Sequence, residues 1–255
     1  MLVSMKDMLQ HALRDGYAVG QFNINNLEWV GAVLSTGQQL RSPIILGVYG
    51  GTVKHMLGLK CIHDIVVNAM DYLQIDIPVA LHLDHGTTRE ACEAAIEAGF
   101  SSIMFDGSHL PFAENLAITR HLVDLAHSRG ISVEAELGTI AGSEDGIVNS
   151  EVIYADPQEC FTLVSETQVD CLAAALGSTH GLYKGKAKLG FAEMKAISEL
   201  VKVPLVLHGG TGIADDDMRK AIACGTAKIN VNTENMYAWC EAVKALFAAD
   251  NGHDI

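Results

Sequence analysis

Basic residues are scarce in this chain. It has 17 Lys and Arg against 31 Asp and Glu, a formal net charge of −14 with histidine neutral. A nucleic-acid-binding protein needs a basic face, so this balance argues against a nucleic-acid partner. Long apolar runs are also missing: the longest, Cys171 to Leu176, is far shorter than the roughly 20 residues that cross a bilayer. Neither nucleic acid nor membrane is an expected partner.

The first residues, MLVSMKDMLQ, have neither the basic region nor the apolar core of a secretory signal, which predicts a cytoplasmic protein. The six cysteines form no C-x-x-C pair, and we interpret them as reduced, buried thiols. Linkers rich in proline or serine are missing too. With 49% hydrophobic residues and no shift in composition, residues 1–255 are predicted to form a single domain.

Short β-rich runs alternate with longer amphipathic runs along the whole chain. Helix ends are marked by Thr87 or Thr88 before a run that stops at Gly99, by the pair Asp156-Pro157, and by Thr233 with Asn235. We predict eight strands: Tyr17–Asn23, Pro43–Val48, Pro78–His85, Ser102–Asp106, Ser132–Gly138, Cys171–Leu176, Pro204–Gly209 and Lys228–Thr233.

Eight strand–helix repeats predict an α/β fold, a closed parallel (β/α)8 TIM barrel. A doubly wound open sheet is the alternative. It is disfavoured because it needs fewer strands and a G-x-G-x-x-G turn after the first strand, where this chain has QFNINN.

Two strands carry their polar residues on one side only. Successive strand residues point to opposite faces, so Glu134 and Glu136 share one face while Val133 and Ala135 share the other. The last strand repeats the pattern with Lys228, Asn230 and Asn232. We expect these polar side chains to point into the barrel, where Lys228 pairs with Glu134.

Polar residues also collect at the predicted strand ends. The C-terminal ends of barrel strands meet at one rim, where such barrels carry their sites. Three histidines and several carboxylates at one rim predict a metal centre, because imidazole suits zinc and three protein ligands leave a position for substrate. No local histidine spacing supports this, and outside a barrel each histidine would be read as structural. The rim residues are Asn23, Asp84, His85, Asp106, Glu136, His180, His208 and Asn230.

Two turns beside this rim indicate an anion site. HGGTG spans His208 to Gly212, and NVNTE spans Asn230 to Glu234. Backbone N–H groups and helix N-termini after the seventh and eighth strands of barrels often bind phosphate. Either turn alone is a weak signal, but both together predict a phosphorylated substrate.

Seven segments carry a resemblance to a known family: YAVGQFNINNLEW, HLDHG, MFDGSH, VEAELG, ALGSTHGLYKG, LVLHGGTG and KINVNTEN. From Met1 to about Phe247 the chain resembles the zinc-dependent class II aldolases, in the branch that holds bacterial fructose-bisphosphate aldolase. Relatives in that branch act on tagatose bisphosphate or on a deoxy-phosphogluconate. The resemblance implies a carbon–carbon lyase that acts on a phosphorylated sugar.

The resemblance also implies roles for individual residues. His85, His180 and His208 would bind the catalytic zinc, and Asp106 and Glu136 would hold a second or displaced ion. The resemblance also allows a monovalent cation as a further cofactor. Asp84 would be the proton donor, and Glu144, on a mobile loop, would handle the C1 proton. Substrate would bind to Asn23, Gly181, Gly209, Gly210, Thr211, Asn230, Val231, Asn232 and Thr233.

The chemistry of ketose cleavage is compatible with these roles. Breaking the C3–C4 bond leaves negative charge on the three-carbon fragment, which a Lewis acid stabilises. A carboxylate must take the C4 hydroxyl proton, and Asp84 stands next to His85. A second acid on a closing loop, here Glu144, can protonate the carbon.

Some features depart from the family pattern. Tyr49 stands where a small hydroxyl residue is expected, and family members continue past the equivalent of Ile255 with a helical tail that this chain is expected to lack. HGGTG favours fructose over tagatose bisphosphate, while TENMYAW leans toward the deoxy-phosphogluconate branch. A Schiff-base aldolase using Lys228 and a non-catalytic phosphosugar-binding barrel are the remaining alternatives. A homodimer or homotetramer is expected.

Overall fold

A computed structural model describes residues 1–144, 147–149, 153–181, 183 and 185–250. Its helices are α1 Met5–Asp15, α2 Leu27–Leu40, α3 Gly50–His55, α4 Leu59–Tyr72, α5 Arg89–Ala98, α6 Phe112–His127, α7 Pro157–Thr167, α8 Phe191–Val201, α9 Asp215–Ala223 and α10 Thr233–Asp250. Its strands are β1 Val19–Asn23, β2 Ile44–Val48, β3 Val79–Gly86, β4 Ser102–Phe105, β5 Ser132–Leu137, β6 Ala141–Glu144, β7 Ile147–Asn149, β8 Cys171–Ala174, β9 Thr179–His180, β10 Leu205–Leu207 and β11 Thr226–Val231.

Eight of these strands close into a parallel barrel in the order β1-β11-β10-β8-β5-β4-β3-β2. This confirms the predicted (β/α)8 TIM barrel. Each predicted strand contains or overlaps an observed one, with ends that differ by a few residues. Pro43, Pro78 and Pro204 lie outside the strands that follow them, because proline has no N–H to give to a ladder.

The predicted helix ends are also confirmed. The Thr88 side chain accepts a hydrogen bond from Ala91 N, and Gly99 ends α5 in the left-handed conformation at φ 96°. Asp156 caps α7 by accepting from Gln158 N and Glu159 N. None of the described helices is both long enough and apolar enough to cross a membrane.

The barrel has two apolar cores. The outer one fills the space between strands and helices, and it takes the residues predicted to face outward, such as Val133, Ala135 and Ile229. The inner one lies inside the lower end of the barrel, where α1 inserts Met5 and Leu9 against Ile45 and Met104. Helix α1 therefore closes the end opposite the predicted rim.

A second, smaller sheet was not predicted from the sequence. Strand β6 pairs antiparallel with β7 and parallel with β9, in the order β7-β6-β9. The prediction that Glu144 lies on a loop is therefore wrong in part: residues 142–144 belong to β6, with Gly142 opposite His180. Strands β6 and β9 pair although they lie 38 residues apart in the sequence, so no local sequence pattern predicts this pairing.

Candidate active site

The three predicted histidine ligands lie together at the C-terminal rim. His85 is near the end of β3, His180 ends β9, and His208 follows β10. One ring nitrogen from each lies within 4.8 Å of the other two, an arrangement that can hold a metal ion. The shortest of these distances, from His85 Nε2 to His208 Nδ1, is 3.0 Å.

A bulge at the end of β3 makes this geometry reachable. In a regular strand Asp84 and His85 would point to opposite faces. Here the register against β4 shifts between Leu83 and Gly86, and His85 adopts a left-handed backbone with φ 48°. Such bulges and strained residues re-aim side chains at functional sites. Both Asp84 and His85 therefore reach the rim.

The hydrogen bonds of His208 fix which of its nitrogens faces the other histidines. Its Nε2 lies 2.9 Å from Glu134 Oε1. Burial keeps the pKa of His208 below its ordinary value, even though the contact with Glu134 opposes this. Since a carboxylate oxygen only accepts, the neutral ring carries its proton on Nε2. The lone pair on Nδ1 points toward His85.

His85 is arranged in the same way. Its Nδ1 donates to Asp106 Oδ2 at 2.9 Å, which leaves the Nε2 lone pair directed at His208. Burial alone would raise the pKa of Asp106, but the hydrogen bond from His85 and those from Ser108 hold it well below its ordinary value. Two nitrogen lone pairs that face each other at 3.0 Å repel unless a cation lies between or beside them. The donor set therefore fits a divalent metal.

A second group that can hold a metal consists of His85, Asp106 and Glu136. It contains both carboxylates predicted for a second or displaced ion. It shares His85 with the histidine group. The Nδ1 atom of His85 is 2.9 Å from Asp106 Oδ2 and 3.9 Å from Glu136 Oε2. With Nδ1 engaged by Asp106, the hydrogen bonding favours the three histidines as the primary group.

Asp84 is buried beside the histidines and held by two amide side chains. Gln21 Nε2 donates to its Oδ2 at 2.7 Å, and Asn230 Nδ2 approaches its Oδ1 at 3.4 Å. Gln21 was not singled out from the sequence, although it lies two residues before Asn23 on β1 and so shares its inward face. These contacts fix the position of the carboxylate that is predicted to be the proton donor.

A cavity of about 200 Å³ opens above the histidines. Most residues predicted to bind substrate line this cavity. Met236 also lines it, as does Tyr49, which stands where the family pattern has a small hydroxyl residue. Gly210 and Val231 are not among its described lining residues: Gly210 N donates to Asn230 O at 2.9 Å, and the Val231 side chain packs against the outer core. The predicted residues that line the cavity are Asn23, His180, Gly181, His208, Gly209, Thr211, Asn230, Asn232 and Thr233.

The two predicted anion-binding turns meet at one side of this cavity. A Cβ on Gly209 would lie 2.1 Å from Thr179 O, so only glycine allows the turn to pass this close. Thr233 opens α10, and Gly212 N donates to Glu234 Oε1 at 3.0 Å, which ties the two turns together. The N-terminus of an 18-residue helix therefore faces the cavity.

Glu144 ends β6, but its side chain lies outside the part of the chain that the structure describes. Its backbone is tied to the site because β6 pairs with the strand that carries His180. Tyr183 also braces this region, accepting from Thr179 N at 3.1 Å and donating to Gly209 O at 2.9 Å. Sequence reasoning did not identify Tyr183.

The predicted pair between Lys228 and Glu134 is confirmed, with Nζ 2.8 Å from Oε2 and both side chains fully buried. Lys228 lies below the cavity and is not among its lining residues, which argues against a Schiff-base role.

His82 is a buried residue near this pair that the sequence analysis did not identify. It lies in the same layer, 2.8 Å from Ser102 Oγ, and burial lowers its pKa to about 3, so it is neutral.

A parallel barrel with clustered histidines, a buried carboxylate and a polar cavity at its C-terminal rim defines a catalytic barrel suited to a metal ion and a small polar substrate. The chain matches the model of the family "Fructose-bisphosphate aldolase class-II" over residues 3–254. It is 57% identical over 249 residues to the fructose-bisphosphate aldolase of Geobacillus stearothermophilus, covering 98% of this chain and 87% of that protein. A fructose-bisphosphate aldolase of Staphylococcus aureus is 55% identical with the same coverage.

Among solved structures, the YdjI aldolase of Escherichia coli K12 superposes with a TM-score of 0.84 at 34% identity, covering 96% of this chain and 86% of that one. The chain belongs to the class II fructose-bisphosphate aldolase family. It is therefore an aldolase, a carbon–carbon lyase.

Proposed function

We propose that this protein reversibly cleaves fructose 1,6-bisphosphate to dihydroxyacetone phosphate and glyceraldehyde 3-phosphate, with zinc as its metal. The observation that carries the proposal is the convergence of three histidine nitrogens, within 4.8 Å of one another, at a cavity bordered by the two turns predicted to bind an anion. The names of relatives at 55–57% identity support the choice of sugar.

His85, His180 and His208 would hold the zinc ion. Bound there, it supplies Lewis-acid stabilisation of the negative charge that develops on the substrate during C–C cleavage. Asp106 orients His85 through the hydrogen bond to Nδ1. Asp106, Glu136 and His85 together offer a second position for a metal ion.

The phosphate of the three-carbon half would bind at the two turns. Thr211 and Thr233 offer hydroxyl groups, and the N-terminus of α10 offers a positive dipole end and backbone N–H groups. Gly181 and Gly209 let this phosphate approach the backbone closely. Asn23, Asn230 and Asn232 line the same cavity and can bind the sugar hydroxyls.

Asp84 would move the proton of the C4 hydroxyl. Its carboxylate is fixed by Gln21 and Asn230, next to His85 and hence next to the reacting centre. Glu144, on the strand paired with β9, would exchange the C1 proton of the three-carbon product. Asp84 contacts Asn230, which lines the cavity, and β6 pairs with β9, whose His180 lines it; both contacts support this division of work.

The test is release of triose phosphate from fructose 1,6-bisphosphate by purified protein, before EDTA, after EDTA, and after zinc is restored. Activity that EDTA removes and zinc restores is the expected result. Tagatose 1,6-bisphosphate and a deoxy-phosphogluconate are run in parallel, because Tyr49 at the cavity wall can alter sugar preference. Faster cleavage of either would overturn the choice of fructose bisphosphate, and no cleavage by zinc-loaded protein would overturn catalysis.

We also propose that the protein is a homodimer or homotetramer. Support comes from α10, which exposes Tyr237, Leu246 and Phe247 to 55%, 44% and 50%. Exposed apolar side chains along one helix are typical of surfaces that pack against another chain. Light scattering during size-exclusion chromatography would give the mass directly, and a monomer at micromolar concentration would contradict this.

A further inference from the structure

A buried chain of three contacting side chains, Lys228, Glu134 and His208, runs beneath the metal site. Lys228 Nζ lies 2.8 Å from Glu134 Oε2, and Glu134 Oε1 lies 2.9 Å from His208 Nε2. The Lys228 and Glu134 side chains are fully enclosed, and His208 is 1% exposed. None of the proposed steps of sugar cleavage uses Lys228 or Glu134.

In the part of the chain that the structure describes, Glu134 contacts the titratable side chains of Lys228, His82, Cys171 and His208. Lys228 balances its charge, which matters because an unpaired buried carboxylate is strongly destabilising. His82 Nε2 lies 3.7 Å from Oε2, and the Cys171 thiol lies 3.7 Å from the same oxygen. One carboxylate oxygen, Oε2, therefore faces Lys228, His82 and Cys171, and the other, Oε1, faces His208.

The oxygen that faces His208 decides the chemistry of that ring. Because it accepts the Nε2 proton, it leaves the lone pair on Nδ1, the nitrogen that faces His85 Nε2 at 3.0 Å. Asn230 Nδ2, a donor, lies 3.5 Å from the same Nδ1 and agrees with this tautomer. A histidine whose other nitrogen donates to a carboxylate is also held in one ring orientation.

We propose that Glu134, with its charge balanced by Lys228, is a positioning residue that fixes the tautomer and the orientation of His208 as a metal ligand. It acts through His208 and does not touch substrate. The inference rests on the metal site of the proposed function and is independent of which sugar is cleaved.

The alternative is a purely structural pair that ties β5 to β11. The two roles differ in what they change: a structural pair alters the stability of metal-free protein, whereas a positioning residue alters metal affinity and the protonation pattern of His208. Replacing Glu134 alone would leave Lys228 buried without a partner. The informative variant is therefore the double substitution Glu134→Leu with Lys228→Met, which removes both charges at similar volume.

Two measurements test the proposal. Zinc affinity is measured by chelator competition on wild type, the double variant and the control Cys171→Ala, which keeps the Glu134–His208 contact. We expect the double variant to bind zinc roughly 10- to 100-fold more weakly, with the control unchanged and the melting temperature of EDTA-treated protein moved by less than about 8 °C. Equal zinc affinity in wild type and double variant would overturn the role of Glu134.

The second measurement needs only metal-free wild-type protein. Two-dimensional NMR of protein labelled with 15N in its histidines reads which ring nitrogen of His208 is protonated. We expect the proton on Nε2; a proton on Nδ1 would overturn the proposal even if the double variant does not fold. Wild-type protein that binds no zinc would overturn the metal site itself, whereas failure of sugar cleavage with normal zinc binding would overturn the proposed function and leave the role of Glu134 intact.

Discussion

The lower and upper halves of the barrel interior are built from the same strands but have opposite chemistry. On β3 the inward residues run from Ala80 to His82 to Asp84. In the lower half, α1 fills the space with Met5 and Leu9. One step of two residues along a strand thus changes the interior from apolar packing to a polar network.

This difference separates stability from chemistry. The lower half is packed mainly with apolar side chains, so changes there cost the transfer and cavity energies of apolar groups. The upper half contains buried charges that stay ionised only because they are paired. Burial would raise the pKa of Glu134, yet the charge of Lys228 and the hydrogen bond from His208 hold it well below its ordinary value. We therefore expect substitutions in the two halves to affect different measurements.

The largest expected effect is on catalysis, in the upper half. Asp84→Asn keeps the shape of the side chain but cannot move a proton, so kcat should fall by roughly 10²- to 10⁴-fold. Zinc content, measured by mass spectrometry, and melting temperature should stay close to wild type. Near-normal kcat in this variant would show that another group handles the C4 proton.

In the lower half, Leu9→Ala should act on stability alone. Leu9 is fully buried in the inner apolar core, so the free energy of unfolding in urea should fall by about 2–5 kcal/mol. The matched control is Leu27→Ala on α2, where the side chain is 59% exposed and the loss should be below about 1 kcal/mol. A clear drop in kcat at 25 °C for Leu9→Ala would break the separation between the two halves.

His82, which lies between the two halves, should make the free energy of unfolding depend on pH. His82 is neutral in the fold because burial lowers its pKa to about 3, but it takes up a proton near pH 6.5 when unfolded. The unfolded state thus binds more protons, and the stability contributed by His82 is lost as pH falls below 6.5. From pH 6.5 to 5 the loss should be about 2 kcal/mol.

Urea unfolding of EDTA-treated protein at several pH values checks this. His82→Gln should lose less stability than wild type over that range, by about the same amount, since the other titrating groups are common to both proteins. Parallel stability curves for the two proteins would contradict a neutral, buried His82.

The smallest effect is expected outside the barrel. Arg219 Nη1 lies 3.0 Å from Asp216 Oδ1 on α9, but their side chains are 70% and 86% exposed. Exposed pairs of this kind contribute little because water and salt screen them, so Arg219→Ala should change the free energy of unfolding by less than about 1 kcal/mol. A larger loss would mean that surface pairing matters as much as the interior network.

Much of this architecture could be predicted from the sequence. Alternation of polar and apolar residues on β5 and β11 gave the inward faces, and the Glu134–Lys228 pair followed from them. The same alternation could have identified Gln21 and His82, which share faces with Asn23 and Asp84. It could not have predicted how His85 reaches the rim, because that depends on a bulge against β4 that breaks the alternation.

The small β7-β6-β9 sheet could not be predicted from the sequence for a different reason. Strand β6 lies in a segment read as a loop, and its pairing with Thr179 and His180 is long-range. Short glycine-containing segments of this kind have weak local preferences and acquire strand geometry only from their partners. The placement of Tyr183 on Gly209 depends on the same tertiary contact.

The most direct test of the polar upper half is the position of the metal. Anomalous diffraction at the zinc edge, from crystals of zinc-loaded protein, should show a peak bonded to ring nitrogens of His85, His180 and His208 at about 2.0–2.1 Å. A peak held by Asp106 and Glu136 without His180 and His208, or the absence of any peak at this rim, would contradict the account.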